Sequence, residues 1–214
     1  MKNIVFCGYD GKMGKNVLQY LSQFENLNIK YKINAFSTPL EKIDLKDIDV
    51  VVDFTCAKAC YKHALYCATN KISFVSGTTG LKEDELNEID ALFKKNEVGC
   101  FICPNFSKGI QFILNSSPLL NTYFNECEIE ETHHLSKLDK PSGTALLLKK
   151  YFPFTKNIIS KRKKHYQAIH KLSFKNLYEE CIIIHTVNHK FAYGDLIKKA
   201  IDDVGLFTGL KETF

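Results

Sequence analysis

Two histidines, two lysines and an aspartate lie close together in ETHHLSKLDKPSGTA, residues 131–145. Adjacent side chains point in different directions in any regular element, so His133 and His134 are not expected to share one task. Imidazole binds metals or moves protons at neutral pH, whereas lysine binds anions as a point charge. Three interpretations are open: a metal site, a nucleic-acid contact, or the reacting end of an enzyme for a small anion.

The glycine-rich sequence GYDGKMG, residues 8–14, is a second candidate site. Gly8 permits a tight turn, Gly11 lets the backbone approach a pyrophosphate, and Gly14 lets a helix pack closely against a strand. The N-terminus of that helix offers free N–H groups to a phosphate, and Lys12 adds a positive charge. The position of GYDGKMG at a strand-to-helix junction predicts a dinucleotide site rather than a plain glycine turn.

The end of the second predicted strand is where an NAD-selective site usually carries a carboxylate, about 20 residues after the glycines. Here the sequence reads INAFSTP, which has no carboxylate. Asn34 and Ser37 could hydrogen-bond a ribose, and Lys32 could bind a phosphate. We therefore expect NADH or NADPH as the cofactor, without strict selection of NAD.

The elements that position these residues alternate regularly in the first half of the chain. Short apolar runs predict buried parallel strands, and apolar residues at helical spacing predict the helices between them. The predicted strands are 3–8, 28–35, 49–55, 72–80 with its turn, and 98–106, and the predicted helices are 12–24, 57–70 and 82–96. This order predicts an α/β fold with an N-terminal Rossmann-like, doubly wound parallel sheet.

Polar or glycine-rich turns follow three of these strands, at 53–55, 76–80 and 104–107. Ligands of open α/β sheets lie at the carboxyl ends of the strands, so a cofactor is expected along this edge. Asp53 taken alone is more simply a helix N-cap or a turn residue.

The second half of the chain mixes strands and helices. Helices are predicted at 107–124, 143–152 and 192–205, and strands at 126–134 and at the end of 175–189. The mixture predicts a second α+β domain with an open mixed sheet. We expect a dinucleotide-binding domain of residues 1–106, joined by a C-terminal helix 191–214, and a substrate-binding and oligomerisation domain of residues 107–190.

The composition is that of a soluble globular protein: 214 residues, 45% hydrophobic and 25% charged, with a formal net charge of +5. That charge does not require nucleic acid but suits an acidic substrate. No signal peptide is recognised and no apolar run reaches the roughly 20 residues of a membrane helix, so we expect a cytoplasmic protein with no membrane partner.

Eight cysteines are interpreted as buried or free thiols. Cys100 and Cys103 of the CFIC sequence should lie on opposite faces of a strand, which does not suit a redox or metal pair. The basic run KRKKHYQ, residues 161–167, is predicted to be a solvated loop rather than a nucleic-acid contact, because no aromatic platform flanks it.

Together, GYDGKMGKNV, VVDFT, SGTTG, PNFSKGI and ETHHLSKLDKPSGTA, in this order and spacing, resemble the dihydrodipicolinate reductase (4-hydroxy-tetrahydrodipicolinate reductase) family of lysine and diaminopimelate biosynthesis. The resemblance covers residues 1–150 and returns near the end of the chain. It implies an oxidoreductase that reduces a cyclic unsaturated dicarboxylate with NADH or NADPH, and that is usually a homotetramer.

The resemblance also implies roles for individual residues. For the cofactor it implies that Gly8, Gly11, Lys12 and Met13 form the dinucleotide turn and that Phe54 and Thr55 lie along the cofactor. It also implies Gly77 and Thr79 at the carboxamide, and Asn105 and Phe106 near the nicotinamide. For the substrate it implies His133 and Lys137 as catalytic residues, His133 being the general acid, and His134, Lys137, Ser142, Gly143 and Thr144 as ligands.

Elementary chemistry agrees with these roles. Hydride addition to a C=C–C=N system leaves negative charge that a proton must neutralise, and a histidine can donate that proton. Two substrate carboxylates need fixed donors, which Lys137 and the helix start at Gly143–Thr144 provide. Which of the two histidines delivers the proton is left open. No cysteine, aspartate or glutamate stands at ligand spacing, so we expect no metal, and Asp139 is predicted to brace the Pro-Ser-Gly turn.

The resemblance is weaker beyond residue 150, where the chain is shorter than typical members of the family. The family's usual arginine is not evident there, and Lys190 is a weak substitute because it cannot bind a carboxylate in bidentate fashion. Two other functions are weighed: a small NAD(P)-dependent reductase of the aspartate-dehydrogenase type, and a non-catalytic dinucleotide-binding sensor.

Overall fold

The structure is a computed structural model that describes residues 1–164 and 168–214. Its strands are β1 (Lys2–Cys7), β2 (Leu27–Ile33), β3 (Val50–Asp53), β4 (Ser73–Ser76), β5 (Gly99–Ile102), β6 (Glu126–His134), β7 (Thr155–Lys163), β8 (Ala168–Lys175), β9 (Glu180–Val187) and β10 (Gly209–Lys211). Its α-helices are α1 (Lys12–Leu21), α2 (Ala57–Thr69), α3 (Glu83–Lys95), α4 (Lys108–Asn115), α5 (Ser117–Tyr123), α6 (Gly143–Tyr151) and α7 (Gly194–Asp203). The chain forms two compact units, residues 1–106 with 193–214, and residues 107–192.

The first unit is built on a six-stranded sheet in the order β10-β5-β4-β3-β1-β2, and all of its strands are parallel. Helices α2 and α3 bury one apolar core against the sheet, and α1 and α7 bury another. Because these cores lie on the two faces, central strands such as β3 are buried along their whole length. The predicted Rossmann-like, doubly wound sheet is confirmed.

The C-terminal segment of this unit differs from the predicted helix over 191–214. Helix α7 ends at Asp203, and β10 then pairs in parallel with β5 at the edge of the sheet. Gly209, the first residue of β10, has a φ of +80°, a left-handed conformation that suits glycine and cannot continue a helix. Residues 209–211 thus extend the first sheet by one strand.

The two sulfurs of the CFIC sequence diverge as predicted. Cys100 belongs to the core under α2 and α3, whereas Cys103 belongs to the core under α1 and α7. All eight cysteines of the chain are free thiols.

The second unit contains an open mixed sheet in the order β7-β6-β8-β9, which confirms the predicted class. Strand β6 is parallel to β7 and antiparallel to β8, and β8 is antiparallel to β9. Helices α4 and α6 pack their apolar side chains against one face of this sheet. Among the described residues, no helix is long and apolar enough to cross a membrane.

Two predictions for this unit are wrong in detail. The single helix predicted over 107–124 is two helices, because Pro118 stands in the first turn of α5 and has no N–H to continue the α4 hydrogen bonds. The solvated loop predicted over 161–167 is partly strand, since residues 161–163 end β7. The remainder of that prediction, at 165–167, lies outside the described residues.

Candidate active site

The turn between β1 and α1 has a backbone conformation that requires glycine. Gly8 has a φ of +80°, and a Cβ there would lie 2.5 Å from the carbonyl oxygen of Phe54. A Cβ on Gly14 would lie 2.0 Å from the carbonyl oxygen of Gly8, so α1 packs directly onto the turn. Gly11 caps α1 without a side-chain hydrogen bond, and the first turn of α1 has no acidic residue. Its first N–H groups therefore suit a phosphate.

A cavity of about 430 Å³ adjoins this turn. Four predicted cofactor residues line the cavity: Gly8, Gly11, Phe54 and Thr55. Lys12 and Met13 are exposed in the first turn of α1. The cavity thus brings the glycine turn together with the turn that follows β3.

The other predicted cofactor residues do not line this cavity. Thr79 is exposed in the turn after β4, and a Cβ on Gly77 would lie 2.2 Å from the Phe54 ring. Phe106 is buried in the core, 6.4 Å from Phe54 between ring centroids, and the carbonyl oxygen of Asn105 accepts a hydrogen bond from the Cys103 thiol. Their roles at the nicotinamide end stay predictions.

Asp53 is fully buried at the end of β3, where its carboxylate joins three segments. One oxygen accepts hydrogen bonds from the backbone N–H of Thr55 at 3.0 Å, the Thr55 hydroxyl at 2.8 Å and the Thr78 hydroxyl at 3.0 Å. The other oxygen lies 2.7 Å from Nδ1 of His63 on α2. Asp53 is therefore a turn residue, and the N-cap of α2 is Cys56.

Cys7, Asp53 and His63 form the group in the described chain that could hold a metal, since one ligand atom of each lies within 4.8 Å of the others. Asp53 and His63 already hydrogen-bond to each other. Burial, followed by the nearby Asp53 charge, raises the pKa of the Cys7 thiol well above its usual value. These properties favour a hydrogen-bonded pair beside a protonated thiol.

A buried carboxylate also organises the second unit. Glu131 on β6 is fully buried, and one of its oxygens hydrogen-bonds Nδ1 of His133. Nη1 of Arg162, on the neighbouring strand β7, donates to both Glu131 oxygens at 3.0 and 2.9 Å, and the backbone N–H of Ser142 donates at 3.3 Å. Such pairing is what permits a charged group to be buried.

These contacts decide the protonation of the pair. Burial raises the pKa of Glu131, but hydrogen bonds from Ser160, His133 and Arg162 outweigh burial and keep the pKa below its usual value. An ionised carboxylate only accepts, so Nδ1 of His133 donates and Nε2 is the nitrogen that can exchange a proton with a ligand. Burial, opposed in part by Glu131, lowers the pKa of His133.

Arg162 also holds the loop of residues 135–141. Its Nε donates to the carbonyl oxygen of Lys137 at 3.1 Å, and its Nη2 donates to the carbonyl oxygen of Asp139. Nζ of Lys137 lies 2.9 Å from the Asp139 carboxylate, which also accepts from the backbone N–H of Gly143. Asp139 therefore braces the turn. It also binds Lys137 and the Gly143 N–H, two donors that the sequence motif predicts for a substrate carboxylate.

The two histidines of the motif are separated by strand alternation. His133 is 9% exposed on the buried face of β6, whereas His134 is exposed at the end of the strand and hydrogen-bonds Ser136 through Nδ1. Ser142 is buried as the N-cap of α6, and its hydroxyl accepts a hydrogen bond from the N–H of Ala145 at 3.2 Å. The Ser142 hydroxyl thus caps the helix that begins with the predicted ligands Gly143 and Thr144.

Two family models together match almost the whole chain. The model described as "Dihydrodipicolinate reductase, N-terminus" matches residues 2–106, and "Dihydrodipicolinate reductase, C-terminus" matches residues 109–206. The chain belongs to the dihydrodipicolinate reductase family. The resemblance carried by the sequence motifs is therefore confirmed.

Curated members of the dihydrodipicolinate reductase family match two thirds of this chain. The 4-hydroxy-tetrahydrodipicolinate reductase of Dehalococcoides mccartyi strain BAV1 is 36% identical over an alignment of 162 residues, and the match covers 67% of this chain and 62% of that protein. The enzyme of the same name from Legionella pneumophila strain Paris is 34% identical over 143 residues, 67% of this chain and 59% of that protein. The chain thus covers less than two thirds of the length of these relatives.

Solved structures share the fold of this dihydrodipicolinate reductase family member. A dipicolinate-bound dihydrodipicolinate reductase from Paenisporosarcina sp. TG-14 superposes with a TM-score of 0.83 at 21% identity, covering 100% of this chain and 98% of that chain. An aspartate dehydrogenase from Thermotoga maritima gives 0.58 at 13% identity, covering 95% and 96%. At these identities the likeness shows the fold alone.

Two further histidines lie on the same face of the second sheet as Glu131, and the sequence had not singled them out as site residues. His170 on β8 is opposite Glu131, and His185 on β9 is opposite His170. Neither ring nitrogen of His170 has a hydrogen-bond partner among the residues that the structure describes. Burial, then the charges of His133 and His185, lowers the pKa of His170 to about 3, so this ring stays neutral. Strand alternation is the signal that could have found both.

Arg162 and His63 were also missed, for a different reason. Arg162 lies within a basic run that reads as a solvated segment, and His63 lies mid-helix with no motif around it. Glu131, the partner of Arg162, is 31 residues away in the sequence. Asp53, the partner of His63, lies at the end of β3 rather than on α2. The pairing of β6 with β7 brings Arg162 to Glu131, and the packing of α2 brings His63 to Asp53. Only the tertiary structure therefore shows these two roles.

Replacing Arg162 by methionine should leave the Glu131 charge buried with too few partners. We expect the free energy of unfolding, measured on the full chain by guanidinium titration, to fall by about 3 kcal/mol. Lys161→Met is the matched control, because the neighbouring Lys161 forms an exposed pair with Glu130 rather than a buried one. That change should cost less than about 1 kcal/mol. Equal losses in the two variants would contradict the role given to Arg162.

Proposed function

We propose that this chain is a 4-hydroxy-tetrahydrodipicolinate reductase of lysine and diaminopimelate biosynthesis that uses NADH or NADPH. The observation that carries the proposal is the buried Glu131–His133 pair, which leaves one imidazole nitrogen able to donate a proton. Membership of the dihydrodipicolinate reductase family and the names of the curated relatives support it.

The first unit fits a nicotinamide dinucleotide. Gly8 and Gly14 leave no room for a side chain at the turn, and the first N–H groups of α1 suit a pyrophosphate. Phe54 and Thr55 line the adjoining cavity and would follow the cofactor. When bound, this cofactor supplies the hydride.

His133 donates the proton that accompanies the hydride. Hydride addition to the conjugated C=C–C=N system leaves an electron pair, which takes the proton from Nε2 of His133. The lowered pKa of His133 favours the neutral ring in the free protein. A bound dicarboxylate favours the charged ring, because nearby negative charge raises a histidine pKa. Proton uptake therefore accompanies substrate binding, and Glu131 stabilises the imidazolium that forms.

The two substrate carboxylates are bound by Lys137 and by the first N–H groups of α6 at Gly143 and Thr144, with His134 as a further contact. Lys137 acts as a point charge, and the helix start adds its partial positive charge. Asp139 already accepts from Lys137 and Gly143, so a substrate carboxylate competes with it for these donors.

Supplying the full chain with freshly generated 4-hydroxy-tetrahydrodipicolinate should cause oxidation of NADH or NADPH. The oxidation is measured as the loss of reduced-nicotinamide absorbance. A substrate panel with oxaloacetate and ammonia distinguishes an aspartate-dehydrogenase-like enzyme. Binding of the cofactor without any turnover would identify a sensor instead. Absence of turnover with both cofactors would contradict the proposed activity.

Substitutions in the substrate site should separate its roles. His133→Gln removes the proton donor, so we expect kcat to fall by about 100-fold or more with little change in KM. Lys137→Ala should raise KM for the substrate about tenfold or more, since it removes a charged donor. Lys150→Ala, at the far end of α6, controls for loss of a positive charge. If His134→Gln rather than His133→Gln abolished kcat, the assignment of the proton donor would be reversed.

We also propose a homotetramer that forms through the face of the second sheet opposite α4 and α6. This face exposes isoleucines on both edge strands, Ile159 on β7 and Ile182 and Ile184 on β9, and Ile184 is 62% exposed. Exposed apolar side chains on a sheet face favour association.

Light scattering after size exclusion should give four times the chain mass of 24.5 kDa. Ile184→Glu should yield a smaller species, because a charge would be buried in the interface. Leu119→Glu, which changes an exposed residue of α5, should leave the tetramer intact. A monomeric wild-type protein would contradict the proposal.

The eight free thiols also support a cytoplasmic location, since reducing compartments keep cysteines unpaired.

A further inference from the structure

The end of β2 has no carboxylate of its own, yet the structure brings one there from the glycine turn. Asp10 is the third residue of that turn, and its Oδ2 accepts a hydrogen bond from Nδ2 of Asn34 at 3.0 Å. Asn34 is the first residue after β2, where an NAD-selective site usually carries Asp or Glu. Both side chains belong to residues that line the cavity beside the turn.

Asn34 is held in this orientation by further hydrogen bonds. Its Nδ2 also donates to the Tyr9 hydroxyl at 3.2 Å, and its Oδ1 accepts from the backbone N–H of Phe36 at 3.0 Å. Its own backbone N–H donates to the Ser37 hydroxyl at 2.8 Å. Rotation of the Asn34 side chain away from Asp10 would break its bonds to Tyr9 and Phe36, so these bonds keep the Nδ2 donor directed at the Asp10 carboxylate.

The charges around this cavity leave the Asp10 carboxylate unopposed. Within the described chain, neither lysine nor arginine lines the cavity, and Asp10 makes no ion pair. His63 lines the cavity as well, but its Nδ1 is engaged by Asp53. A phosphate group placed beside Asp10 would therefore meet a negative charge, and none of the described residues that line the cavity is a lysine or arginine that could balance it. Lys12 and Lys32 lie outside this lining.

We propose that Asp10, positioned by Asn34, binds the adenosine ribose and makes the site prefer NADH to NADPH. A carboxylate accepts hydrogen bonds from the 2′-hydroxyl of NADH and repels the 2′-phosphate of NADPH. The inference rests on the proposed function and chooses between its two cofactors. The spacing rule did not reveal it, because the carboxylate comes from the glycine turn and not from the end of β2.

The test compares the Kd values of NADH and NADPH, measured by isothermal titration calorimetry on the full chain. The wild type should bind NADH at least about tenfold more tightly, as expected for a like-charge contact with NADPH. Asp10→Asn keeps the size of the side chain and its contact with Asn34 but removes the charge. It should tighten NADPH binding about tenfold and weaken NADH binding by about threefold to tenfold, because a neutral amide oxygen accepts a weaker hydrogen bond from the ribose hydroxyl than a carboxylate does. Asp10→Glu keeps the charge and should keep the preference.

Asp47→Asn is the control for loss of one negative charge. Asp47 is exposed, pairs with Lys30 and contacts Asn3 near the start of β1. This is the end of the strands opposite the cavity, so the ratio of the two Kd values should not change. An unchanged ratio in Asp10→Asn, or a wild type that prefers NADPH, overturns the selectivity while dinucleotide binding stands. If neither dinucleotide binds the wild type, the proposed function fails as well.

Discussion

A fully buried carboxylate must have a partner for each of its oxygens, and the second unit is arranged around that requirement at Glu131. Its partners come from three places: His133 on the same strand, Arg162 on β7, and the backbone at the start of α6. Satisfying this one charge aligns β6 with β7 and fixes the N-terminus of α6. It also sets the tautomer of His133. The candidate proton donor and the helix that would bind an anion are thus positioned by the same interaction.

The first unit solves a similar problem at Asp53. Its buried carboxylate joins the turn after β3 to Thr78 beyond β4 and to His63 on α2. These bonds tie together the walls of the cavity beside the glycine turn. In both units, therefore, a buried charge connects the segments that carry the candidate binding groups. Loss of such a charge affects several segments at once, since each carboxylate has hydrogen-bond donors on more than one segment.

Exposed carboxylates have a different role, because they remain available to interact with ligands. Asp139 binds both Lys137 and the Gly143 N–H, the donors proposed for a substrate carboxylate. Asp10 stands at the cavity where a ribose would bind. The neutral rings of His170 and His185 limit the other charges near His133, because burial keeps both pKa values low. In the proposed function, binding of the dianionic substrate is the event that would change the protonation of His133.

The sequence by itself determined the parallel sheet, the glycine turn, the mixed second sheet and the family, because each depends on local periodicity or on residues close together in the chain. Alternation along β6 was enough to place His133 and His134 on different faces. Only the tertiary structure decided the roles of Arg162 and His63, the neighbours of His133 on β8 and β9, and the meeting of Asp10 with Asn34. These contacts join residues that strand register and helix packing bring together, and no local pattern encodes which partner a buried charge will find.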